Sequence, residues 1–156
     1  MSLDEYRKKR FFSATPEPEG SSSQEPEVDQ SATATSGTRF VVQKHQATHL
    51  HYDFRLEMDG VLKSWAVPKG MPEVPKIKRL AVETEDHPLD YISFEGIIPE
   101  GNYGAGQVEI WDQGEYRLKE RTEKKIVFEL IGQRLVGRYA LIRTADKNWI
   151  IMKMAN

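Results

Sequence analysis

The segment His49–Met58 constrains this chain most. It reads His-Leu-His-Tyr-Asp-Phe-Arg-Leu-Glu-Met, polar and apolar in alternation, and a period of two is that of a half-buried strand. Asp59-Gly60 follows at once, and Val61–Val67 is strand-like again, so the pair spells a two-residue hairpin. An isolated hairpin is not stable in water and needs further sheet to bury its apolar face. The chain supplies candidates at Arg39–Lys44, Arg79–Glu85, Tyr91–Glu95, Gln107–Trp111, Glu115–Leu118, Lys125–Ile131, Leu135–Thr144 and Trp149–Met154. Asp112-Gln113-Gly114 reads as a turn between two of them. The expected fold is mainly β, a compact closed or crescent-shaped β-barrel of about eight strands. A short helix is expected over Leu3–Phe12, with Ser2-Leu3-Asp4-Glu5 as its capping box.

At 156 residues the chain suits one core. Residues 13–38 are mostly Ser, Thr, Pro, Glu, Gln and Gly, with no aromatic residue and almost nothing apolar, a composition that cannot offset its own ordering entropy. Glu19–Ser36 is therefore expected to be a mobile linker, dividing an N-terminal piece (1–38) from a barrel domain (39–156). Zero cysteines exclude disulfides, thiolate metal sites and a cysteine nucleophile. No apolar run approaches the roughly 20 residues of a membrane helix, and the charged N-terminus is unlike a signal peptide. No membrane partner and a cytoplasmic location are expected. Residues 39–156 carry eighteen Lys/Arg against seventeen Asp/Glu. Such a body does not hold nucleic acid by bulk charge, so any contact is local.

On the strand 49–58 residues two apart share a face, about 7 Å apart. His51, Asp53 and Arg55 therefore stand in a row, with Leu50, Tyr52, Phe54 and Leu56 packed behind. His45 lies six residues before His51, and a bend at Gln46-Ala47-Thr48 returns it toward the row. Two imidazoles and a carboxylate leave coordination positions open for water and substrate, a set better suited to Mn²⁺, Zn²⁺ or Fe²⁺ than to Ca²⁺. His49 shares the parity of His51 but falls where the strand begins, so a structural role is expected of it. Arg55 beside a metal suits phosphate oxygens, or else pairs with Glu57 or with a carboxylate of another strand. His87, fixed by Pro88, is either a phosphate contact or general acid, or a loop histidine bonded to backbone. Tyr91 either donates to an anion or packs in the core. Gly96–Gly106 is glycine-rich without Walker spacing and reads as a tight turn at the barrel rim. Lys69-Gly70 and Lys76/Lys78/Arg79 read as solvated charged loops.

Together these residues resemble the 3′-phosphoesterase domain of bacterial DNA ligase D and its free-standing archaeal counterparts. The matching segments are His45-Gln46-Ala47-Thr48-His49-Leu50-His51-Tyr52-Asp53-Phe54-Arg55-Leu56-Glu57 and Leu62–Gly70. Arg79–Val82, Glu85-Asp86-His87-Pro88-Leu89-Asp90-Tyr91, Phe94–Gly96, Ile98–Gly101 and Tyr103–Gly106 complete them. The resemblance implies a β-barrel with its active site in a crescent-shaped groove. It implies Mn²⁺-dependent removal of a 3′-terminal ribonucleoside from a primer strand, then of the remaining 3′-phosphate. His45, His51 and Asp53 match the family's metal ligands, while Arg55, Arg79, His87 and Tyr91 match its phosphate-contacting and catalytic residues. The implied partners are DNA or RNA–DNA primer–template 3′ ends. A stand-alone enzyme is expected, with ligase, polymerase and end-binding repair proteins acting in trans. One position departs: many members carry an acid after the basic N-terminal run, whereas Tyr6-Arg7-Lys8-Lys9-Arg10 is followed here by Phe11-Phe12, which bears on the diesterase step. Two rival readings are a cupin-type non-haem iron oxygenase, with His51, Asp53 and His87 as its facial triad, and a non-catalytic DNA-end-binding module.

Overall fold

A computed structural model describes residues 3–10, 12, 15–18 and 38–155. The expected linker Glu19–Ser36, the capping residue Ser2 and the departing Phe11 lie outside the described residues. The helix α1 spans Asp4–Lys8 and is shorter than expected, with Leu3 at its N-cap and no side-chain cap bond. Nine strands follow: β1 (Arg39–Gln46), β2 (Leu50–Met58), β3 (Val61–Val67), β4 (Lys78–His87), β5 (Gly96–Ile98), β6 (Gly106–Arg121), β7 (Lys125–Gly132), β8 (Val136–Ala145) and β9 (Asn148–Lys153). They run in the order β1-β2-β3-β4-β9-β8-β7-β6, and a β1–β6 pairing closes the ring. The result is an eight-stranded antiparallel barrel, with β5 added on the outer edge of β6.

Two expectations about local structure are corrected. Asp112-Gln113-Gly114 does not turn the chain but lies inside the sixteen-residue β6. The Asp112 carboxylate instead accepts the backbone N–H groups of Gln133 (2.9 Å), Arg134 (3.2 Å) and Leu135 (2.8 Å), and so ties down the β7–β8 connection. Gly114 is needed for closeness, since a Cβ there would stand 2.2 Å from the Ile131 carbonyl oxygen. The expected strand Tyr91–Glu95 is a 3₁₀ turn over Leu89–Ser93. Pro88 starts it, and Tyr91 N–H and Phe94 N–H close it on the Pro88 and Tyr91 carbonyls.

The barrel interior is filled by Phe40, Val42, Phe54, Leu56, Trp65, Phe128, Leu130, Tyr139, Leu141 and Ile151, all buried. Phe54, Leu56 and, in part, Tyr52 back the polar row as expected. Leu50 does not: it sits at the barrel mouth, 49% exposed. A second cluster, Tyr6, Leu62, Tyr91, Phe94, Ile98 and Val108, lies outside the wall. It docks α1, the 3₁₀ turn and β5 over the strands that carry the histidines.

Candidate metal and phosphate site

The hairpin register puts His45 opposite His51 and Gln43 opposite Asp53. The loop Ala47-Thr48-His49 provides the return, and the two imidazole centroids are 4.8 Å apart. His51, Asp53 and Arg55 project from the outer face of β2, as the alternation requires, so the site lies on the barrel wall outside the lumen. One ligand atom each from His45, His51 and Asp53 falls within 4.8 Å of the others. Asp53 Oδ2 lies 3.2 Å from His51 Nε2, 3.6 Å from His45 Nδ1 and 3.6 Å from an Arg55 Nη. His45 Nε2–H donates to the Gly104 carbonyl at 2.7 Å. That bond makes Nε2 a donor and turns Nδ1 toward Asp53, the outer-shell arrangement metal-ligating histidines adopt. The donor set and its aim thus fit a divalent ion. His49 takes no part beyond a carbonyl that accepts from His51 Nδ1–H at 3.3 Å.

Arg55 continues the row. Its Nε donates to Gln43 Oε1 at 2.6 Å, and its guanidinium lies 4.8 Å from the Tyr91 ring centroid. The alternative partner Glu57 is taken by Arg39 through two bonds of 2.9 Å. Gln43 also donates to the Tyr91 and Phe94 carbonyls, at 2.9 and 3.1 Å. It therefore braces both the arginine and the 3₁₀ turn.

His87 reaches this face through a β-bulge. Ser64 pairs with Thr84, but Leu62 pairs with His87, so β4 carries one extra residue there. The bulge reverses the parity of β4, putting His87 on the face of Ser64 and Asp53. His87 Nδ1–H donates to the Glu85 carbonyl at 2.9 Å, and an Arg55 Nη lies 3.2 Å away. Burial first, then the Arg55 and Arg10 charges, holds its pKa well below 6.5. Burial opposes ionisation of Asp53, but hydrogen bonds from His45 and His51 and the Arg55 charge prevail and keep its pKa below the usual carboxylate range. The Asp53 hydrogen bond raises the pKa of His51.

Tyr91 donates to Glu17 Oε2 at 2.7 Å, and burial above all pushes its pKa well above 10. Glu17 in turn takes Arg10 Nε at 3.0 Å, and Arg10 Nη1 reaches Glu85 at 3.2 Å. Residues from the N-terminal piece are thus built into the site. Arg10 lies in the expected helical piece, whereas Glu17 falls in the Ser/Thr/Pro/Glu stretch, whose composition gave no sign of burial. Gln43 and Glu85 were also missed, though Gln43 shares the parity of His45. A cleft of about 330 Å³ is lined by the trio, Arg55, His87, Tyr91, Arg10, Glu17, Glu85 and Tyr103, among others. Arg79 is not among its lining residues. It has the parity of the buried Ala81, and its Nη1 donates to the Lys69 carbonyl at 3.1 Å. Among the described residues the third member of the cluster is His45 and not the His87 of the oxygenase reading.

The family model of the DNA ligase D 3′-phosphoesterase domain matches residues 43–143, from the brace Gln43 to Arg143. The chain belongs to this family. A relative from Pseudomonas aeruginosa, multifunctional non-homologous end joining protein LigD, is 51% identical over 160 residues, covering 97% of this chain and 18% of that protein. The Mycobacterium tuberculosis protein of similar name is 45% identical over 159 residues, covering 99% and 20% respectively. The Mycolicibacterium smegmatis LigD is also 45% identical, over 164 residues, with 97% and 20% covered. The chain thus spans about a fifth of each of these relatives. Their match takes in the N-terminal piece as well as the barrel. Among the described residues no helix is long and apolar enough to cross a membrane.

Proposed function

We propose that this phosphoesterase-domain protein is a metal-dependent enzyme that heals DNA 3′ ends. It would remove a 3′-terminal ribonucleoside and then the 3′-phosphate, leaving a 3′-OH primer end. The observation that carries the reading is the convergence of a His45–His51–Asp53 cluster with the phosphate-compatible groups Arg55, His87 and Tyr91 in one cleft.

The two-imidazole, one-carboxylate set suits Mn²⁺, the ion we assign to His45, His51 and Asp53. Such an ion supplies Lewis acidity, neutralising a phosphoryl oxygen and acidifying water. Arg55, anchored by Gln43, meets the equatorial oxygens, where charge builds in the transition state. His87 is held neutral in the free protein by burial and two arginines. The negative charge of the bound phosphate ester, one in the diester and up to two in the monoester, raises its proton affinity, so that it is protonated for catalysis. In the diesterase step water attacks phosphorus, the P–O5′ bond of the terminal nucleoside breaks, and His87 gives its proton to the departing oxygen. The monoesterase step breaks the P–O3′ bond in the same way. Tyr91 donates to the phosphate in place of Glu17. Arg79 acts, on this reading, outside the cleft, on the strand leading to it. End-joining partners and a cytoplasmic setting belong to the same proposal.

The test is a 5′-labelled primer–template bearing one 3′-ribonucleotide, incubated with Mn²⁺ and resolved by product size. Shortened products ending first in phosphate and then in hydroxyl are expected. His51→Ala and Asp53→Ala should abolish both, and either variant at near wild-type turnover would refute the assignment.

A further inference from the structure

The cleft has a polar floor and an apolar flank made of Ala47, Ala66, Ile98 and Tyr103. The steps above employ only the floor. Tyr103 stands out on the flank because it is 47% exposed and belongs to neither core cluster. Core packing, the usual fate of a tyrosine, does not account for it.

Its loop holds the ring in place. Gly101 and Gly104 take left-handed conformations, with φ of 90° and 77°. Asn102 N–H bonds the Pro99 carbonyl, and Ala105 N–H bonds the Asn102 carbonyl. The Gly104 carbonyl receives His45 Nε2–H at 2.7 Å, which ties the loop to the metal cluster. At the far end Gly106 packs so tightly that a Cβ would stand 2.2 Å from the Gln46 carbonyl oxygen. The Tyr103 ring also holds two cations, with Lys9 Nζ 4.7 Å and the Arg10 guanidinium 5.1 Å from its centroid. Lys9 Nζ donates to its hydroxyl at 3.4 Å. A half-exposed aromatic ring is thus fixed at the wall of a phosphate cleft, next to basic side chains. That combination is how proteins grip single nucleotides without reading their sequence.

We propose that Tyr103 is a stacking platform for the nucleobase adjoining the scissile phosphate; this rests on the phosphoesterase reading. The base lies one sugar away from the phosphate, on the terminal or the penultimate nucleoside. Ile98 and the two alanines exclude water from its edge. Stacking of this kind tolerates any base, so no base preference is expected.

Two measurements test it. In the first, primers carry 2-aminopurine at the terminal or the penultimate position, with EDTA present to prevent cleavage. Wild-type protein, Tyr103→Phe and Tyr103→Trp should each change the fluorescence at one of the two positions, while Tyr103→Ala should leave both unchanged. In the second, Mn²⁺-dependent cleavage is compared on base-bearing and abasic primers. Tyr103→Ala should cost roughly tenfold in kcat/KM on base-bearing ends. One abasic position should cost the wild type a similar factor and Tyr103→Ala nothing further. The same proportional loss on every primer, or identical fluorescence for wild type and Tyr103→Ala, would overturn the platform. A wild-type protein inactive on every 3′ end would instead overturn the phosphoesterase reading, and the platform with it.

Discussion

Gln43→Met tests whether the buried amide between β1 and the 3₁₀ turn organises the site. Gln43 is fully buried and makes three hydrogen bonds: one from Arg55 Nε at 2.6 Å, and two to the Tyr91 and Phe94 carbonyls at 2.9 and 3.1 Å. Methionine has similar length and none of these groups. A hydrogen bond to a charged group contributes about 2 kcal/mol and each neutral one about 1 kcal/mol. The expected loss is therefore about 4 kcal/mol, or about 8–16 °C in Tm for a chain of this size. Urea unfolding followed by tryptophan fluorescence would measure it. Arg55 also loses the anchor of its Nε, and turnover at saturating Mn²⁺ should fall on the order of 10- to 100-fold. Gln43→Glu separates charge from geometry. It keeps an acceptor for Arg55 and adds attraction, but turns a carboxylate oxygen against two carbonyls. It too should be destabilised if the brace to the 3₁₀ turn matters. A Gln43→Met protein within about 1 kcal/mol of wild type and within twofold of its turnover would show that Arg55 is placed by other means.

The pKa shifts of two histidines give opposite signs in separate pH windows. His87 is depressed, so the unfolded chain binds its proton first and stability falls as pH drops below 6.5, by at most about 1.4 kcal/mol per pH unit. His87→Gln should flatten that slope between pH 6.5 and 5, and equal slopes in urea titrations would contradict this. His51 is raised, so its contribution to stability is complete below 6.5 and is lost as pH rises through its folded value. Because an ion must displace that proton, Mn²⁺ affinity should weaken by up to about tenfold per pH unit on acidification. Calorimetry in two buffers of different ionisation enthalpy reads the released proton, and identical enthalpies at pH 6 would count against it. Asp112→Asn should cost about 2–4 kcal/mol, because an amide N–H₂ would face backbone N–H groups that the carboxylate now accepts. Turnover per folded molecule should be retained, and a variant as stable as wild type would disprove the tie between β6 and the β7–β8 connection.

What the sequence disclosed and what it hid divide along a physical line. His51, Asp53 and Arg55 were legible because they lie on one regular strand, where period two alone fixes the face. His45 was legible because a short return loop places it across the hairpin. The barrel was legible from the spacing of strand and turn signals. Asp112-Gln113-Gly114 misled because aspartate and glycine have other uses than turning. One caps a distant connection from within a strand, and the other allows two backbones to approach. Glu17 was hidden because composition reports average burial over a segment. Here a few residues are pulled into the site by Tyr91, Glu85 and each other.

His87 is the instructive intermediate case. Counting by twos along β4 from Thr84, which lines the cleft, assigns Asp86 to the site and His87 to the opposite face. The extra residue opposite β3 reverses this: His87 pairs with Leu62, and Asp86 lies 3.5 Å from Lys63 on the other side of the sheet. The bulge also brings Glu85 to the cleft alongside Thr84, so one irregularity delivers both the histidine and the carboxylate that holds Arg10. A regular β4 would have packed more simply, yet it would have put Asp86 in place of His87 beside Arg55, where the proposed phosphate site lies. Departure from the period is thus what puts a histidine, and not an aspartate, on the cleft face of β4 beside Arg55.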